Sequence, residues 1–304
     1  MKVALIGAGA VGAYFIKGFG DAPVGSVSEF FVIADGERKE RLTRDGVKIN
    51  GKIYHPTVKT SKEAGICDVI VVATKSTKIR EITDYLPDMT GEQTAVLSML
   101  NGVESEEIIA AKIGWEHVIH SIILIASRRT SEEVVYDEDY PTTIFYGALE
   151  SVTNAPAKLQ AVSDAFAGTR INVKRSKDIM YDEWYKYARN ITNNFPQAVL
   201  CAPAAMYTRS EHGLFIAEKL WQEVRVLAQL KGVTLSEHVE LYPCADSSRY
   251  STLQDIDSKR RTEADSLCGY LINLANENNI PVPYLEYTYN AIKVLEEKNE
   301  GKFD

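Results

Sequence analysis

The chain has 304 residues, of which 45% are hydrophobic and 25% charged, and its formal net charge is −8. At about 150 residues per domain, this length predicts about two domains. The acidic balance argues against a surface that follows nucleic-acid phosphates, and the basic run Lys259-Arg260-Arg261 is diluted by neighbouring acids. No apolar run reaches the ~18 residues that a membrane span requires. We therefore expect neither a nucleic-acid partner nor a membrane partner.

Four scattered cysteines, Cys67, Cys201, Cys244 and Cys268, form no C-x-x-C pair and show no metal-ligand spacing with histidine. The N-terminus lacks a basic segment ahead of a removable apolar core. We expect reduced, structural thiols, no metal site and a cytoplasmic protein.

The first predicted element is an apolar strand, residues 1–6, which runs into Gly7-Ala8-Gly9-Ala10-Val11-Gly12 and then into a helix-compatible stretch. This is G-x-G-x-x-G between a strand and a helix, the context in which it indicates a dinucleotide. Gly7 permits the tight turn, Gly9 lets the backbone approach a pyrophosphate, and Gly12 lets helix and strand pack closely. Ala10 and Val11 open the helix whose N-terminus holds the anion. The alternative is a glycine-rich turn without a ligand.

Asp35 closes the next apolar run, Phe30 to Ala34, near the place where a ribose-binding acid belongs. A carboxylate there accepts hydrogen bonds from ribose hydroxyls and repels a 2′-phosphate. Asp35 therefore favours NAD(H), although Arg38 and Lys39 offer charge for a phosphate.

Strand-like and helix-like segments then alternate through the first half. We predict a polar helix at 37–44, a short strand or hairpin between Gly46 and Gly51, and a helix at 79–86. Strands are predicted at 68–74, 94–100, 118–126 and 171–173, with a strand pair at 133–136 and 142–149 as an antiparallel extension. This alternation indicates a doubly wound parallel sheet of the Rossmann type.

Beyond about residue 176 the pattern is helical, with apolar-periodic stretches at 181–192, 214–230, 255–276 and 284–298, the last two separated by Pro281 and Pro283. The predicted fold is thus an α/β Rossmann-type sheet domain, residues 1–175, followed by an all-α helical C-terminal domain, residues 176–304. The first would bind a dinucleotide, and the second would bind substrate and carry catalysis.

Two polar positions follow predicted strands. Lys75 ends the fourth strand-like run, where a lysine can reach cofactor phosphate or substrate carboxylate, but a solvated lysine is an equally good interpretation. Asn101-Gly102 follows the fifth run, and without further context it is a turn dipeptide.

Lys186, Asn190 and Asn194 are four residues apart and so share one face of a predicted helix at 182–194. One lysine and two asparagines make a poor helical stripe by propensity, which points to a polar cleft, with a solvent-exposed face as the alternative. Farther on, Ser251 precedes a predicted helix in which Asp255 and Glu263, eight apart, lie on the same side. Glu263 can either pair with Lys186 across a cleft or be a solvated acid.

These residues together resemble the ketopantoate reductase (2-dehydropantoate 2-reductase) family across nearly the full chain. The shared pattern comprises the glycine fingerprint, Lys75, Asn101-Gly102, Trp184-x-Lys186-x-x-x-Asn190-x-x-x-Asn194, Ser251-x-Leu253-Gln254-Asp255, Thr262-Glu263 and the Pro281/Pro283 break. The resemblance implies that Lys186 is the general acid and that Glu263 orients the site. It also implies that Asn190, Asn194 and Ser251 bind substrate, that Asn101 sits beside nicotinamide and substrate, and that Lys75 lies near the cofactor.

The resemblance implies NADP(H) as cofactor, whereas Asp35, in place of the family's common arginine, makes NAD(H) at least as plausible. The expected reaction is reduction of ketopantoate to pantoate in pantothenate biosynthesis. A second enzyme interpretation is an NAD-dependent D-2-hydroxyacid dehydrogenase of branched-chain or mandelate type, and a third, non-enzymatic one is a dinucleotide sensor. An apolar helix face can pack within one chain or between two, so the sequence is also compatible with a homodimer.

Overall fold

The computed structural model describes residues 1–23, 29–130 and 132–303. The chain divides into two compact units: a sheet unit of Met1–Asn101 and Ser105–Asp182, and a helical unit of Gly102–Glu104 and Glu183–Asp304. The predicted domain boundary between residues 175 and 176 stays a prediction.

The sheet unit contains a large sheet and a small one. Its strands are β1 (Lys2–Ile6), β2 (Glu29–Ile33), β3 (Val47–Ile49), β4 (Lys52–Tyr54), β5 (Thr57–Lys59), β6 (Val69–Val72), β7 (Ala95–Ser98), β8 (Val118–Leu124), β9 (Ser127–Arg129), β10 (Val134–Tyr136), β11 (Thr143–Gly147) and β12 (Val173–Arg175). The helices begun between them are α1 (Ala10–Gly20), α2 (Gly36–Asp45), α3 (Ser61–Ala64), α4 (Ile79–Ile82), α5 (Leu86–Met89), α6 (Glu104–Ile113) and α7 (Ala155–Phe166).

The large sheet has eight strands in the order β12-β11-β8-β7-β6-β1-β2-β5. The strands from β5 to β8 are parallel, and β11 joins β8 antiparallel. The chain moves outward from β1 in both directions, which places a topological switch point beside β1. Val69 to Val72 are all buried, as expected for a strand covered on both faces. The predicted doubly wound sheet is confirmed.

The small sheet has the order β4-β3-β10-β9 and was not predicted as a separate sheet. Strands β3 and β4 form the hairpin predicted between Gly46 and Gly51. The predicted pairing of 133–136 with 142–149 is wrong, because β10 pairs with β9 and β3 in the small sheet. Strand β11 instead joins the large sheet antiparallel to β8. Apolar residues of α1 pack between the two sheets, with Phe15 and Tyr14 contacting Phe166 and Tyr136 respectively.

The helical unit is built mainly from α8 (Ile179–Arg189), α9 (Phe195–Leu200), α10 (Ala205–Arg209), α11 (Glu211–Leu230), α12 (Ser251–Asp257), α13 (Tyr270–Glu277) and α14 (Pro283–Asn299). Two π-helical turns, Asn190–Asn194 and Asp265–Gly269, lie between α8 and α9 and before α13. Trp184 and Trp221 are fully buried in its core. Glu223 of α11 accepts the N–H groups of Tyr284 and Leu285, which fixes the start of α14. The helical C-terminal domain is therefore confirmed as a fold.

Candidate active site

Glycine is required by the chain's own packing at two positions of the turn after β1. Gly7 has φ +110°, and a Cβ there would collide with the carbonyl oxygen of Ala73. A Cβ on Gly12 would collide with the carbonyl oxygen of Gly7, so helix α1 can leave the strand this closely only with glycine. Both observations match the packing roles predicted for these residues.

Gly9 is different, because no contact within the described residues requires it to lack a side chain. A Cβ at Gly9 would meet only the carbonyl oxygen of Ala73, at 4.0 Å. Gly9 caps α1 in extended conformation, so the N–H groups of Ala10, Val11 and Gly12 open the helix without intrahelical acceptors. Open space beside a row of N–H donors at a helix N-terminus fits the pyrophosphate of a dinucleotide. The residues present therefore fit the predicted cofactor.

Asp35 lies at the carboxyl end of β2, next to the switch-point strand. Its carboxylate is exposed and accepts a hydrogen bond from the Tyr85 hydroxyl at 2.9 Å. Burial and this hydrogen bond raise the pKa of Tyr85, which keeps the hydroxyl protonated as a donor. Asp35 is thus held in place with acceptor capacity to spare, as a ribose-binding acid should be.

Of the two basic residues that could offset Asp35, one is already engaged. Lys39 forms an ion pair with Glu63, and this hydrogen bond lowers the pKa of Glu63 to about 2. Arg38 is exposed on α2. The charge available for a 2′-phosphate near β2 is therefore smaller than the sequence suggested.

Lys75 and Asn101 follow β6 and β7, the strands on the other side of β1. Because β1, β6 and β7 are parallel neighbours, the segments that follow them lie along one edge of the sheet, together with the glycine turn. Lys75 is exposed ahead of a short 3₁₀ turn, and Asn101 is half-buried. The structure thus places both at the edge where ligands of such sheets bind.

In the helical unit, the helix predicted at 182–194 is not uniform. Helix α8 carries Lys186, but Asn190 and Asn194 lie in the π-helical turn. Pro196 explains the change, since it has no N–H for the carbonyl of Thr192 and its ring would crowd that carbonyl in a regular helix. The single α-helical face is therefore a wrong prediction for Asn194. Helices with π turns recur at functional sites.

Asn190 and Asn194 are both buried, with side chains 7% and 8% exposed. The Asn190 Oδ1 atom accepts a hydrogen bond from the Tyr242 hydroxyl at 3.2 Å. The Asn194 Nδ2 atom lies 3.5 Å from the Ser251 Oγ, and its Oδ1 has no partner in the part of the chain that the structure describes. The structure thus brings Asn194 together with Ser251, the start of α12.

The predicted helix at 255–276 is interrupted, so Asp255 and Glu263 do not share one helical side. Helix α12 ends at Asp257, and Lys259 follows with φ +51°. Glu296, only 5% exposed, accepts both the N–H and the hydroxyl of Thr262, which holds this crossing. Asp255 pairs with Arg260 at 2.7 Å, as a surface acid would. The pairing of Glu263 with Lys186 stays a prediction.

Three aromatic residues, Phe195, Tyr207 and Tyr250, lie near the motifs in the sequence, where such residues can either pack in the core or line a pocket. Phe195 and Tyr207 are 0% and 3% exposed, so both belong to the core. Tyr250 is half-buried, and its ring lies 5.5 Å from that of Tyr242. Among these three, only Tyr250 has part of its side chain outside the core.

Two residues adjoin the predicted site that no sequence motif marked. Arg129 of β9 donates from Nη1 to the carbonyl of Ala8 in the glycine turn, at 3.2 Å. Tyr242 holds Asn190, and its ring stacks under the Arg189 guanidinium at 3.8 Å. Both contacts join residues far apart in the chain, so no local pattern could have revealed them.

In residues 1–23, 29–130 and 132–303, no helix is long and apolar enough to cross a membrane. Over the same residues, no group of three or more His, Cys, Asp or Glu side chains is placed to hold a metal ion. Cys67 and Cys268 are buried free thiols, and Cys201 and Cys244 are exposed free thiols.

A doubly wound sheet with this glycine turn, followed by a separate helical unit, defines the class of dinucleotide-binding oxidoreductases. The family models "Ketopantoate reductase PanE/ApbA" and its C-terminal counterpart match residues 3–151 and 178–296. The chain therefore belongs to the ketopantoate reductase family, whose reaction is the NAD(P)-dependent reduction of a 2-oxo acid.

A 2-dehydropantoate 2-reductase from a Nostoc species is 24% identical, over 98% of this chain and 96% of the relative. A ternary structure of D-mandelate dehydrogenase with NADH and anilino(oxo)acetate has a TM-score of 0.82 at 20% identity, covering 99% of each chain. A dimeric ketopantoate reductase from Staphylococcus aureus has a TM-score of 0.75 at 18% identity, covering 98% of this chain and all of that one. These structures share the fold of this chain.

Proposed function

We propose that this protein reduces a branched 2-oxo acid to a D-2-hydroxy acid with a nicotinamide cofactor. The preferred substrate in this proposal is ketopantoate, which becomes pantoate in pantothenate biosynthesis. The observation that carries it is the family match over both parts of the chain, with the glycine turn and Lys186 retained. Curated relatives named 2-dehydropantoate 2-reductase support the substrate.

The proposal assigns the cofactor to residues 1–175 and substrate and catalysis to residues 176–304. The dinucleotide is held by residues of the glycine turn and of the strand ends beside it: Gly7, Gly9, Ala10, Val11, Gly12, Asp35, Lys75 and Asn101. When bound, it supplies a hydride to C2 of the substrate. The carbonyl oxygen then gains negative charge and needs a proton and hydrogen-bond donors. Lys186 donates that proton from Nζ, and Glu263 orients it. Asn190, Asn194, Ser251 and Asn101 hold the substrate's polar groups.

The proposal includes NADH as a cofactor used at least as well as NADPH. Asp35 stands where a 2′-phosphate would lie, and Lys39 is already paired with Glu63. A carboxylate at this position binds ribose hydroxyls and repels a phosphate.

An NAD-dependent dehydrogenase for mandelate-type or branched-chain 2-hydroxy acids is the second candidate. Asp35 favours it, as does the fold shared with a D-mandelate dehydrogenase solved with NADH. A dinucleotide sensor is disfavoured, because a sensor has no use for a proton donor such as Lys186. A homodimer and a cytoplasmic location complete the proposal, the former supported by the dimeric Staphylococcus aureus reductase.

The deciding experiment is a panel of 2-oxo acids, assayed with NADH and with NADPH by loss of absorbance of the reduced nicotinamide. The panel contains ketopantoate, 2-oxoisovalerate and phenylglyoxylate. The highest kcat/KM with ketopantoate supports the first candidate, and the highest with phenylglyoxylate or 2-oxoisovalerate supports the second. If the protein binds the cofactor but reduces none of these acids, the result would support the dinucleotide-sensor interpretation over both enzyme candidates.

A further inference from the structure

Arg129 adjoins the glycine turn from a part of the fold outside the strand–turn–helix unit. It ends β9, and β9 and β10 pack beside α1. Its Nη1 atom donates to the carbonyl of Ala8 at 3.2 Å, and Ala8 directly precedes Gly9. An arginine therefore lies next to the one glycine of the turn whose missing side chain the chain's own packing does not require.

The rest of the guanidinium is available for another acceptor. Within the described residues, the Ala8 carbonyl is the only hydrogen-bond acceptor of the Arg129 side chain, so the other N–H groups of its guanidinium are unengaged there. Guanidinium presents five donors in a planar fork that matches phosphate oxygens. The hydrogen bond to Ala8 orders the Arg129 side chain beside the turn in the free protein. Ligand binding therefore costs less side-chain conformational entropy than it would with a mobile arginine.

We propose that Arg129 is a further cofactor-binding residue, which contacts the pyrophosphate of the dinucleotide at the glycine turn. This inference rests on the proposed function, since it requires that a dinucleotide bind at the turn. It adds a guanidinium to the backbone N–H groups of the turn and to Lys75, which the proposed function already assigns to the cofactor. A pyrophosphate carries two negative charges, which one helix N-terminus offsets only in part.

Arg128 provides a matched control. It precedes Arg129 on the same strand, and successive side chains of a strand point to opposite faces. Both arginines are exposed, and Arg128 is paired in register with Val135 of β10. Replacing either one removes the same charge from the protein, but only Arg129 contacts the turn.

The test is the dissociation constant of NADH, measured by calorimetry without any 2-oxo acid, for wild type, Arg129→Gln, Arg129→Lys and Arg128→Gln. Loss of charge-assisted hydrogen bonds should raise the constant about tenfold or more in Arg129→Gln. The dissociation constant of Arg128→Gln should stay within about twofold of the wild-type value, because Arg128 is a solvent-exposed charge whose effect on the turn is screened. Arg129→Lys keeps the charge but loses the planar guanidinium, so its dissociation constant for NADH should lie between those of wild type and Arg129→Gln.

A purely structural role for Arg129, as a tether between β9 and the turn, predicts a different pattern. If Arg129 is only a tether, Arg129→Gln should weaken the binding of adenosine and the binding of ADP by the same factor. If Arg129 contacts the pyrophosphate, the substitution should weaken the binding of ADP and leave the binding of adenosine unchanged. Equal NADH affinity in Arg129→Gln and wild type, or equal losses for adenosine and ADP, would overturn the inference and leave the proposed function intact. Absence of NADH and NADPH binding in the wild type would overturn both.

Discussion

Lys186 is the single residue on which the proposed chemistry depends most directly. Replacing it by alanine removes the proton donor for the developing alkoxide, so kcat should fall by about a hundredfold to ten-thousandfold. The dissociation constant of NADH should change little, because the proposed cofactor residues belong to the sheet unit. Stopped-flow turnover and NADH titration measure the two quantities separately.

Lys298 of α14 is a suitable control, being an exposed lysine of the same unit. Lys298→Ala should leave kcat unchanged. Unchanged turnover in Lys186→Ala would remove Lys186 from the mechanism.

Tyr242 should act on the substrate through Asn190. Its hydroxyl donates to Oδ1 of Asn190, which leaves the Nδ2 donor of this amide for the substrate. Tyr242→Phe removes one neutral hydrogen bond, so KM for the 2-oxo acid should rise about fivefold while KM for NADH stays constant. In an Asn190→Ala background the same change should have no further effect, since the two residues act as one unit.

Tyr185→Phe tests the alternative that Tyr242 merely anchors its segment. The Tyr185 hydroxyl donates to Glu240 at 2.6 Å and its ring also faces Arg189, so it tethers the same segment elsewhere. Equal effects of Tyr185→Phe and Tyr242→Phe on KM would favour anchoring over control of the Asn190 amide.

At the scale of elements, the tie between α1 and the hairpin β3–β4 rests on Asp21. Its carboxylate accepts from Lys17 at the end of α1 and from Lys52 and Tyr54 of β4. Burial opposes ionisation, but these hydrogen bonds outweigh it and lower the pKa of Asp21 to about 2. Since the folded-state pKa lies below the unfolded value, the stabilisation is complete above about pH 5 and is lost as the pH falls from there through the folded-state pKa of about 2.

Asp21→Asn should therefore lower the free energy of unfolding by about 2 kcal/mol at pH 7, with the difference from wild type vanishing near pH 2. Urea unfolding across this pH range measures it. Asp45→Asn is the control, because the one ion pair of Asp45 among the described residues is with its neighbour Arg44 at the surface. That change should cost less than about 0.5 kcal/mol. A difference between Asp21→Asn and wild type that persists at pH 2 contradicts the assignment.

Elements held by local pattern were predictable from the sequence, and elements held by distant partners were not. Strands β1, β2, β6, β7 and β8 are apolar runs buried in the large sheet, so composition alone marked them. The small sheet was not predicted as a separate sheet, because its strands have three residues each and β10 pairs with β3, which lies far back in the chain. The break after Asp257 depends on Glu296, which no window around residue 260 contains.

The same division holds for the candidate site. The glycine turn could be predicted because its spacing and its place between a strand and a helix are both visible in the first 20 residues. The carbonyl of Ala73, which excludes a side chain at Gly7, is a distant contact that the sequence did not show. The spacing of Lys186, Asn190 and Asn194 was visible, but its geometry was not, since Pro196 converts the turn to π-helix. Arg129 lies 121 residues from Ala8, and only the fold brings them together.

At the scale of the whole molecule, cofactor preference should appear as a difference in thermal stability. A ligand that binds only the folded state at about 100 times its dissociation constant stabilises that state by about 2.7 kcal/mol. In the proposed function Asp35 accepts ribose hydroxyls and repels a 2′-phosphate, so NADH should raise Tm more than NADPH at equal concentration. Asp35→Asn removes the charge that repels the 2′-phosphate but keeps a hydrogen-bond acceptor for the ribose. It should therefore increase the Tm shift caused by NADPH and bring it close to the shift caused by NADH. Glu37→Gln, in the first turn of α2, removes an equal charge and should leave the difference between the two Tm shifts unchanged. A larger Tm shift with NADPH in the wild type would mean that Arg38 supplies enough charge to hold the phosphate despite Asp35.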